Sequence, residues 1–185
     1  MTPTDLAPAP VRRRSRPVMV VLGAIILAIA AMWVYIFAFA AQTSPDRVHD
    51  RGWTAGAKGI CSGYQTQIAA LPPAASFLKV QPPAEAVRRR AEVGDQVTTL
   101  LRAMVADLRT PPAPDASSTP TITAWLHDYD TYLADRDHHI AQFRAGVDTQ
   151  FAETKGIGGE PGSLRMDQFA RVNQMASCQV PQDLG

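Results

Sequence analysis

The sequence predicts an all-α membrane protein in which one N-terminal transmembrane helix is followed by an extracytoplasmic antiparallel bundle of about four helices. Three observations support this prediction. The run from Val18 to Ala41 is apolar and has no charged side chain. After it, apolar residues recur every three to four positions, as on one face of a helix. Proline- and glycine-rich stretches cut this later part into helix-sized pieces, and no piece shows the two-residue alternation of a strand.

Length and charge fit a division into three parts. We assign residues 1–17 to a basic cytoplasmic tail, 18–41 to the transmembrane helix and 42–185 to the extracytoplasmic helical domain. The chain has 185 residues and a formal net charge of +1. The tail holds four arginines and one aspartate, and the domain holds 14 basic and 16 acidic side chains. This near-neutral balance predicts no nucleic-acid partner.

The apolar run is long enough to cross a lipid bilayer. At a rise of about 1.5 Å per residue, its 24 residues span about 36 Å, and the hydrocarbon core is about 30 Å thick. The four arginines of the tail flank its N-terminal end. Because positive charge stays on the cytoplasmic side, we expect the N-terminus inside and the domain outside the plasma membrane. The lipid bilayer is therefore an expected partner.

A cleavable signal peptide is the alternative interpretation of this run. The apolar core of a signal peptide usually has about 7–15 residues, which is shorter than this one. The sequence Ala38-Phe39-Ala40 nevertheless resembles a cleavage site. The tail, with four prolines and clustered arginines, is too polar to bury a core, so we expect it to be disordered.

Four amphipathic helices are expected in the domain, separated by breaks at Pro72-Pro73 and Pro82-Pro83, at residues 110–120 and at residues 155–162. Ser44 and Ser163 are the expected N-caps of the first and last of them. The expected helices are Pro45–Leu71, Pro83–Arg109, Pro120–Phe151 and Ser163–Ser177. Their expected core stripes are Trp53, Ala57, Ile60, Tyr64, Ile68 and Leu71; Val87, Ala91, Gly94, Val97, Leu101, Met104 and Leu108; Ile122, Leu126, Tyr129, Leu133, Ile140, Phe143 and Val147; and Met166, Phe169, Val172 and Ala176.

Cys61 and Cys178 are the only cysteines. Both fall in the domain that we expect outside the membrane, where the compartment is oxidising, so we expect a structural disulfide between them. A redox pair usually has two residues between its cysteines, which is not the case here. Free thiols or metal ligands are the other interpretations.

The third expected helix is the most polar segment of the domain. Asp135 lies at helical spacing from His138 or His139, but such a pair supplies two ligands, and a zinc site needs three or four. We expect no metal and no cofactor, and interpret this face as solvated. Arg136 lies on the buried stripe and needs a carboxylate partner. Glu92, Asp95 and Asp167 are the expected partners.

No catalytic motif is present in the sequence. It contains no Gly-x-Ser-x-Gly, no phosphate-binding loop and no His-Glu-x-x-His. We therefore expect a non-enzymatic accessory or interaction protein of the cell envelope, whose partner is another envelope or membrane protein. The alternative is a ligand-binding or sensing module. Its pocket would lie between the helices, edged by Trp125, Tyr129, Tyr132 or Arg136.

Residues of the last two expected helices carry a family resemblance. They are Trp125, Tyr129, Tyr132, Leu133, Asp135 and Arg136, followed by Met166, Asp167, Phe169, Ala170, Asn173, Met175, Ser177 and Cys178. This pattern resembles a set of actinobacterial single-pass membrane-anchored proteins of unknown function with an extracytoplasmic helical domain. It covers about a third of the chain. The resemblance implies that the helical domain recurs as a unit and implies no activity.

Overall fold

The structure is a computed structural model that describes residues 16–38, 44–111, 114–156 and 159–184. Within these ranges it has α-helices and no strand, which confirms the all-helical prediction. The five α-helices are α1 (Arg16–Ala38), α2 (Arg51–Ala69), α3 (Pro83–Leu108), α4 (Thr119–Arg144) and α5 (Gly162–Val172). Short 3₁₀ helices cover Ala74–Phe77 and Ala176–Cys178. Most of the predicted tail and the last residues of the predicted cleavage site lie outside the described residues.

The chain divides into two compact units, Met1–Thr43 and Ser44–Gly185. The first contains α1. Its segment Pro17–Ile36 is long and apolar enough to cross a membrane, and it is the one such helix among the described residues. Its large apolar side chains are exposed along the helix, from Val18 to Ile36. This helix therefore has the length and composition that the sequence predicts for it.

α2 begins at Arg51 and not at the predicted Pro45. Asp50 is its N-cap, because its side chain accepts a hydrogen bond of 2.8 Å from the backbone N–H of Trp53. The predicted cap at Ser44 is wrong. The residues before α2 are held by distant side chains, since Asn173 Oδ1 accepts a hydrogen bond of 2.8 Å from the N–H of Val48. This tertiary hydrogen bond holds Val48 outside α2, so the helix begins later than predicted.

α3 matches its prediction to within one residue, and every member of its predicted stripe is buried. α4 ends at Arg144, seven residues before the predicted Phe151. Gly146 causes this end because its φ is 78°, a left-handed conformation that favours glycine and closes a helix. Val147 consequently lies outside the helix and is 48% exposed, so its predicted core position is wrong.

α5 is shorter than predicted and ends at Val172. Ser163 is not its N-cap, since the helix begins at Gly162. Gln174 has a φ of 59°, which turns the chain before the 3₁₀ helix Ala176–Cys178. Ala176 is exposed, so its predicted inward position is also wrong.

The core of the second unit lies where α3 packs against α2 and α4, and where α4 packs against α5. The segment 179–184 completes this core without forming a helix, because Val180 and Leu184 are both buried. Leu184 packs against α3 at Gly94: a Cβ at that glycine would lie 3.2 Å from Leu184 Cδ2. We call residues 179–184 the C-terminal strap.

Candidate functional site

The two cysteines are joined in the structure. Cys61 lies in α2 and Cys178 in the last 3₁₀ helix, with their sulfur atoms 2.12 Å and their Cα atoms 5.1 Å apart. Both residues are fully buried. The bond therefore fixes the start of the C-terminal strap to α2.

Trp125 and Tyr129, two of the predicted site residues, are core residues of α4. Trp125 is 2% exposed, and its ring stacks on Phe169 with the centroids 4.6 Å apart. Tyr129 is fully buried, and its hydroxyl donates a hydrogen bond of 2.6 Å to the carbonyl of Cys178. Burial raises the pKa of Tyr129. These contacts hold α4 against α5 and the strap.

Arg136 is fully buried and forms an ion pair with Asp183 of the strap. Its Nη1 and Nη2 donate to the two carboxylate oxygens at 2.7 and 2.6 Å, and its Nε donates to Thr98 Oγ1 at 2.9 Å. Tyr132, the fourth predicted residue, places its hydroxyl 3.4 Å from Arg136 Nη1.

The predicted partners of Arg136 were wrong. Glu92 pairs with Arg88, Asp95 pairs with Arg144, and the Asp167 carboxylate accepts from the N–H of Val180. Asp183 reaches Arg136 because the strap runs back over the helices, which helical periodicity does not predict.

His139 contradicts the prediction that the polar face of α4 is solvated. His127 and His138 are exposed, but His139 is 2% exposed. Its ring lies 4.2 Å from that of Phe143 and 5.3 Å from that of Phe151, centroid to centroid. Its Nε2 has no hydrogen-bond partner among the described residues. Burial lowers the pKa of His139, and the charges of nearby Arg90 and Arg136 lower it further.

Two cavities of about 440 Å³ each lie along one side of α4. We name them the Tyr132 cavity and the Trp125 cavity, and together the α4 groove. The Tyr132 cavity is lined by Ala124, His127, Asp128, Thr131, Tyr132, Asp135, Glu153, Thr154, Lys155, Gly156, Gly162 and Arg165. The Trp125 cavity is lined by Asp46, Pro120, Thr121, Ala124, Trp125, Asp128, Arg165, Gln168 and Phe169. Ala124, Asp128 and Arg165 belong to both.

An ion pair divides the α4 groove. Arg165 of α5 crosses to α4, where its Nη2 donates to the two carboxylate oxygens of Asp128 at 2.7 and 2.5 Å. Gly156 makes this crossing possible, because a Cβ at that position would lie 2.7 Å from Arg165 Nη1. The guanidinium therefore occupies the boundary between the two cavities.

Two further carboxylates hold the wall of the Tyr132 cavity. Asp135 accepts hydrogen bonds from the backbone N–H and the hydroxyl of Thr154, at 2.6 and 2.8 Å. Glu153 accepts from the N–H and the hydroxyl of Ser163, both at 2.8 Å. Ser163 thus donates to a side chain outside the helix instead of capping it. All four donors are backbone N–H or hydroxyl groups.

The groove is a recess in which charged side chains stand among apolar surface, and the hydrogen bonds of Asp128, Asp135 and Glu153 hold its walls together. Sequence reasoning missed Glu153, Thr154 and Arg165 because they come from a loop and from the outer face of a short helix. The one available signal was the glycine-rich stretch that follows Lys155. Among the described residues, no group of three or more histidine, cysteine, aspartate or glutamate side chains could hold a metal ion.

Comparisons with known proteins do not assign a family or a function to the chain. The chain matched no protein-family model, no curated protein and no solved structure.

Proposed function

We propose that this chain is a single-pass membrane-anchored protein whose helical unit lies on the extracytoplasmic side. There it binds another protein of the cell envelope and catalyses no reaction. Two features support the location. α1 exposes an apolar surface from Val18 to Ile36, which is stable in lipid and not in water. The buried Cys61–Cys178 disulfide is typical of an oxidising compartment, which lies outside the cytoplasm.

The observation that carries the binding proposal is the α4 groove. Its α4 side runs from Pro120 to Asp135, which is about 22 Å at the helical rise. A segment of about six extended residues that passed over the Asp128–Arg165 pair would reach both cavities. Asp128, Asp135 and Glu153 accept hydrogen bonds from Arg165, Thr154 and Ser163 in turn. These bonds fix the shape of the groove.

Photo-crosslinking tests this proposal directly. A photoreactive amino acid is placed in the full-length chain at Ala124 or His127, two exposed residues that line the groove. The control positions are Ala141, which is exposed on α4 away from the groove lining, and Ser62, which is exposed on α2. After irradiation of native membranes, we expect adducts of one mass and one identity from both groove positions and none from the controls.

Two results would contradict the proposal. Equal labelling at all four positions would mean random collision with neighbouring proteins. An adduct confined to Ser62 would move the binding surface to α2, whose glycines Gly52, Gly56, Gly59 and Gly63 are exposed on that helix.

A ligand-binding or sensing module is the second candidate, and one observation favours it. The Tyr132 cavity, at about 440 Å³, falls in the range of small-molecule sites, about 300–1,000 Å³. This function predicts that a small envelope metabolite raises the melting temperature of the detergent-solubilised chain, and that Ala124→Trp abolishes the increase. An increase that survives the Trp substitution would locate the ligand elsewhere.

A further inference from the structure

His139 is a buried polar residue that lacks a hydrogen-bond partner for one of its ring nitrogens. It lies on α4 and is 2% exposed, and its Nε2 has no partner among the described residues. Nearly all buried polar groups in proteins are paired, so an exception needs a physical reason. Neither the disulfide nor the Arg136–Asp183 pair involves this ring.

The charges around His139 oppose a proton on its ring. The charged and titratable groups near it are Arg90 of α3, Arg136 and His138 of α4, and Asp148 of the segment that follows α4. Asp148, the carboxylate of this set, already pairs with Arg90 at 2.8 Å. Arg136 is engaged with Asp183. A protonated His139 would therefore be a third buried cation beside two arginines, without a carboxylate of its own.

Residues 147–156, which we call the wall segment, lie against His139 and continue into the wall of the Tyr132 cavity. From 147 to 154 the segment has no regular secondary structure, so side chains attach it to α4. The attachments are the hydrogen bond from Thr149 to Gln142, the hydrogen bonds from Thr154 to Asp135, and the packing of Phe151 on His139 and Tyr132. The middle of the segment therefore depends on the contact at Phe151.

Of the two aromatic neighbours of His139, Phe151 is the one that is free to move. Phe143 lies on α4 itself and is 2% exposed, whereas Phe151 is half-buried and belongs to the irregular segment. A charged imidazole needs water around it. The smallest change that admits water to this ring is the separation of the wall segment at Phe151. Local openings of this kind are drawn from segments with few fixed contacts.

We propose that His139 is a pH-sensitive latch: in acid its ring gains a proton, Phe151 separates from it, and the wall segment leaves the side of α4. The opened segment binds the proton at the ordinary histidine value of 6.5, and the closed one only at lower pH. Closure is therefore favoured well above 6.5 and weakened below it. The opening needs no partner, and only its consequence for binding in the α4 groove rests on the proposed function.

Hydrogen–deuterium exchange of the full-length chain in lipid nanodiscs tests the latch. Protection factors, which correct for the effect of pH on the exchange chemistry, are compared at pH 7.5 and pH 5.5 by mass spectrometry. We expect protection of peptides from residues 147–156 to fall by up to about tenfold, the largest change that one proton bound at 6.5 produces over this range.

A second measurement at low urea distinguishes local opening from unfolding of the whole unit. Local opening exposes little surface, so urea should leave exchange in the wall segment unchanged while it accelerates exchange in the centre of α3. Equal acceleration by urea in both places would mean that the wall segment opens only when the unit unfolds, which overturns the latch. So would unchanged protection of the wall segment between the two pH values.

Variants assign the effect to His139, because the pH change acts on every histidine and carboxylate of the chain. His139→Phe and His139→Leu bind no proton and keep an apolar side chain beside Phe151, and both are made in case one does not fold. His138→Phe, at the exposed neighbouring position, is the matched control. Circular dichroism melting verifies folding. The His139 variants should lose most of the pH dependence of the wall segment, and the control should keep it. The opposite pattern overturns the latch.

Photo-crosslinking from Ala124 at the two pH values separates the latch from the proposed function. If both are right, the adduct decreases at pH 5.5 in the parent chain and not in His139→Phe. An adduct that does not change with pH leaves the proposed function standing and overturns control of the groove by the latch. Absence of an adduct at either pH removes the proposed function, and the exchange measurements then decide the latch by themselves.

Discussion

Arg136 ties the end of the described chain to the middle of the helical unit. Its guanidinium is fully buried, and Asp183 supplies the charge that it needs. Thr98 and Tyr132 complete the arrangement with neutral oxygens. Breaking such a pair by removing one partner is strongly destabilising, because an uncompensated charge stays in the core.

Asp183→Asn should therefore lower the free energy of unfolding by about 3 kcal/mol. Asp137→Asn is the matched control, since it breaks the exposed ion pair between Asp137 and Arg102 on the surface of α4. Exposed pairs contribute little, so the control should unfold at nearly the same denaturant concentration as the parent. Urea unfolding of the chain in detergent measures both. Equal effects of the two variants would contradict the structural role of Arg136.

His139 makes stability depend on pH. Burial lowers its pKa, and the charges of Arg90 and Arg136 add to the effect, with a smaller addition from His138. Asp148 acts in the opposite direction and does not outweigh them. The unfolded chain binds the proton near the ordinary histidine value of 6.5, and the folded chain binds it only at lower pH. Stability is therefore unaffected well above 6.5 and falls as the pH drops below it.

Between pH 7.5 and pH 5.5, we expect His139 to remove up to about 1.4 kcal/mol from the free energy of unfolding. His139→Phe should abolish this part of the loss, since phenylalanine carries no proton and suits the contacts with Phe143 and Phe151. His138→Phe, at an exposed position, should retain it. Urea unfolding at the two pH values gives the comparison. An unchanged pH dependence in His139→Phe would contradict the assignment.

Glycine has different structural effects in α2 and in α3. Gly56 is exposed in the middle of α2, and a Cβ there would meet no atom within 4 Å. Gly94 of α3 is buried, and a Cβ there would lie 3.2 Å from Leu184 and 3.4 Å from Ile140. The first glycine weakens its helix, whereas the second makes room for the strap.

Gly56→Ala should raise the free energy of unfolding by about 0.5–1 kcal/mol, because alanine favours the helix and nothing obstructs it. Gly94→Ala should lower it, because the added methyl group crowds two buried side chains. Thermal unfolding of the pair checks this contrast. A stabilising Gly94→Ala would mean that the strap can move aside and does not depend on the space at Gly94.

The helix interiors and both ends of α3 were predictable from the sequence, but the start of α2 and the end of α4 were not. The stripe of α3 repeats every three to four residues between two proline breaks, so both its position and its buried face followed from periodicity. The ends of α2 and α4 depend on Asn173, which holds Val48, and on the left-handed turn at Gly146. The first is a tertiary contact across 125 positions, which no local pattern encodes.

The α4 groove was also beyond sequence reasoning. Of the four residues predicted to edge a pocket, Trp125 and Tyr132 line the groove, whereas Tyr129 and Arg136 are packed in the core. The groove arises because α4 stops at Arg144, so that residues 153–156 lie beside it as a wall. A prediction that extended α4 to Phe151 carried residues 153–156 past the end of the helix instead of back along its side.

The helical unit as a whole is closed by the disulfide between Cys61 and Cys178, which are 117 positions apart. In the chain-entropy view, a loop of this size stabilises the folded state by about 4–5 kcal/mol. The double variant Cys61→Ala/Cys178→Ala should lower the free energy of unfolding by about that amount, as measured by urea unfolding. A loss below about 1 kcal/mol would mean that the bond contributes little beyond the packing of the strap.

Protease accessibility tests the central claim, an anchored unit outside the membrane, most directly. The full-length chain is tagged at its N-terminus, expressed in its native host, and exposed to proteinase K before and after the membrane is permeabilised. The account predicts that protease outside intact spheroplasts removes the helical unit and leaves a short, membrane-bound, tagged fragment containing α1. Full-length protein that resists digestion until permeabilisation, or a soluble helical unit cleaved from its tag, would contradict it.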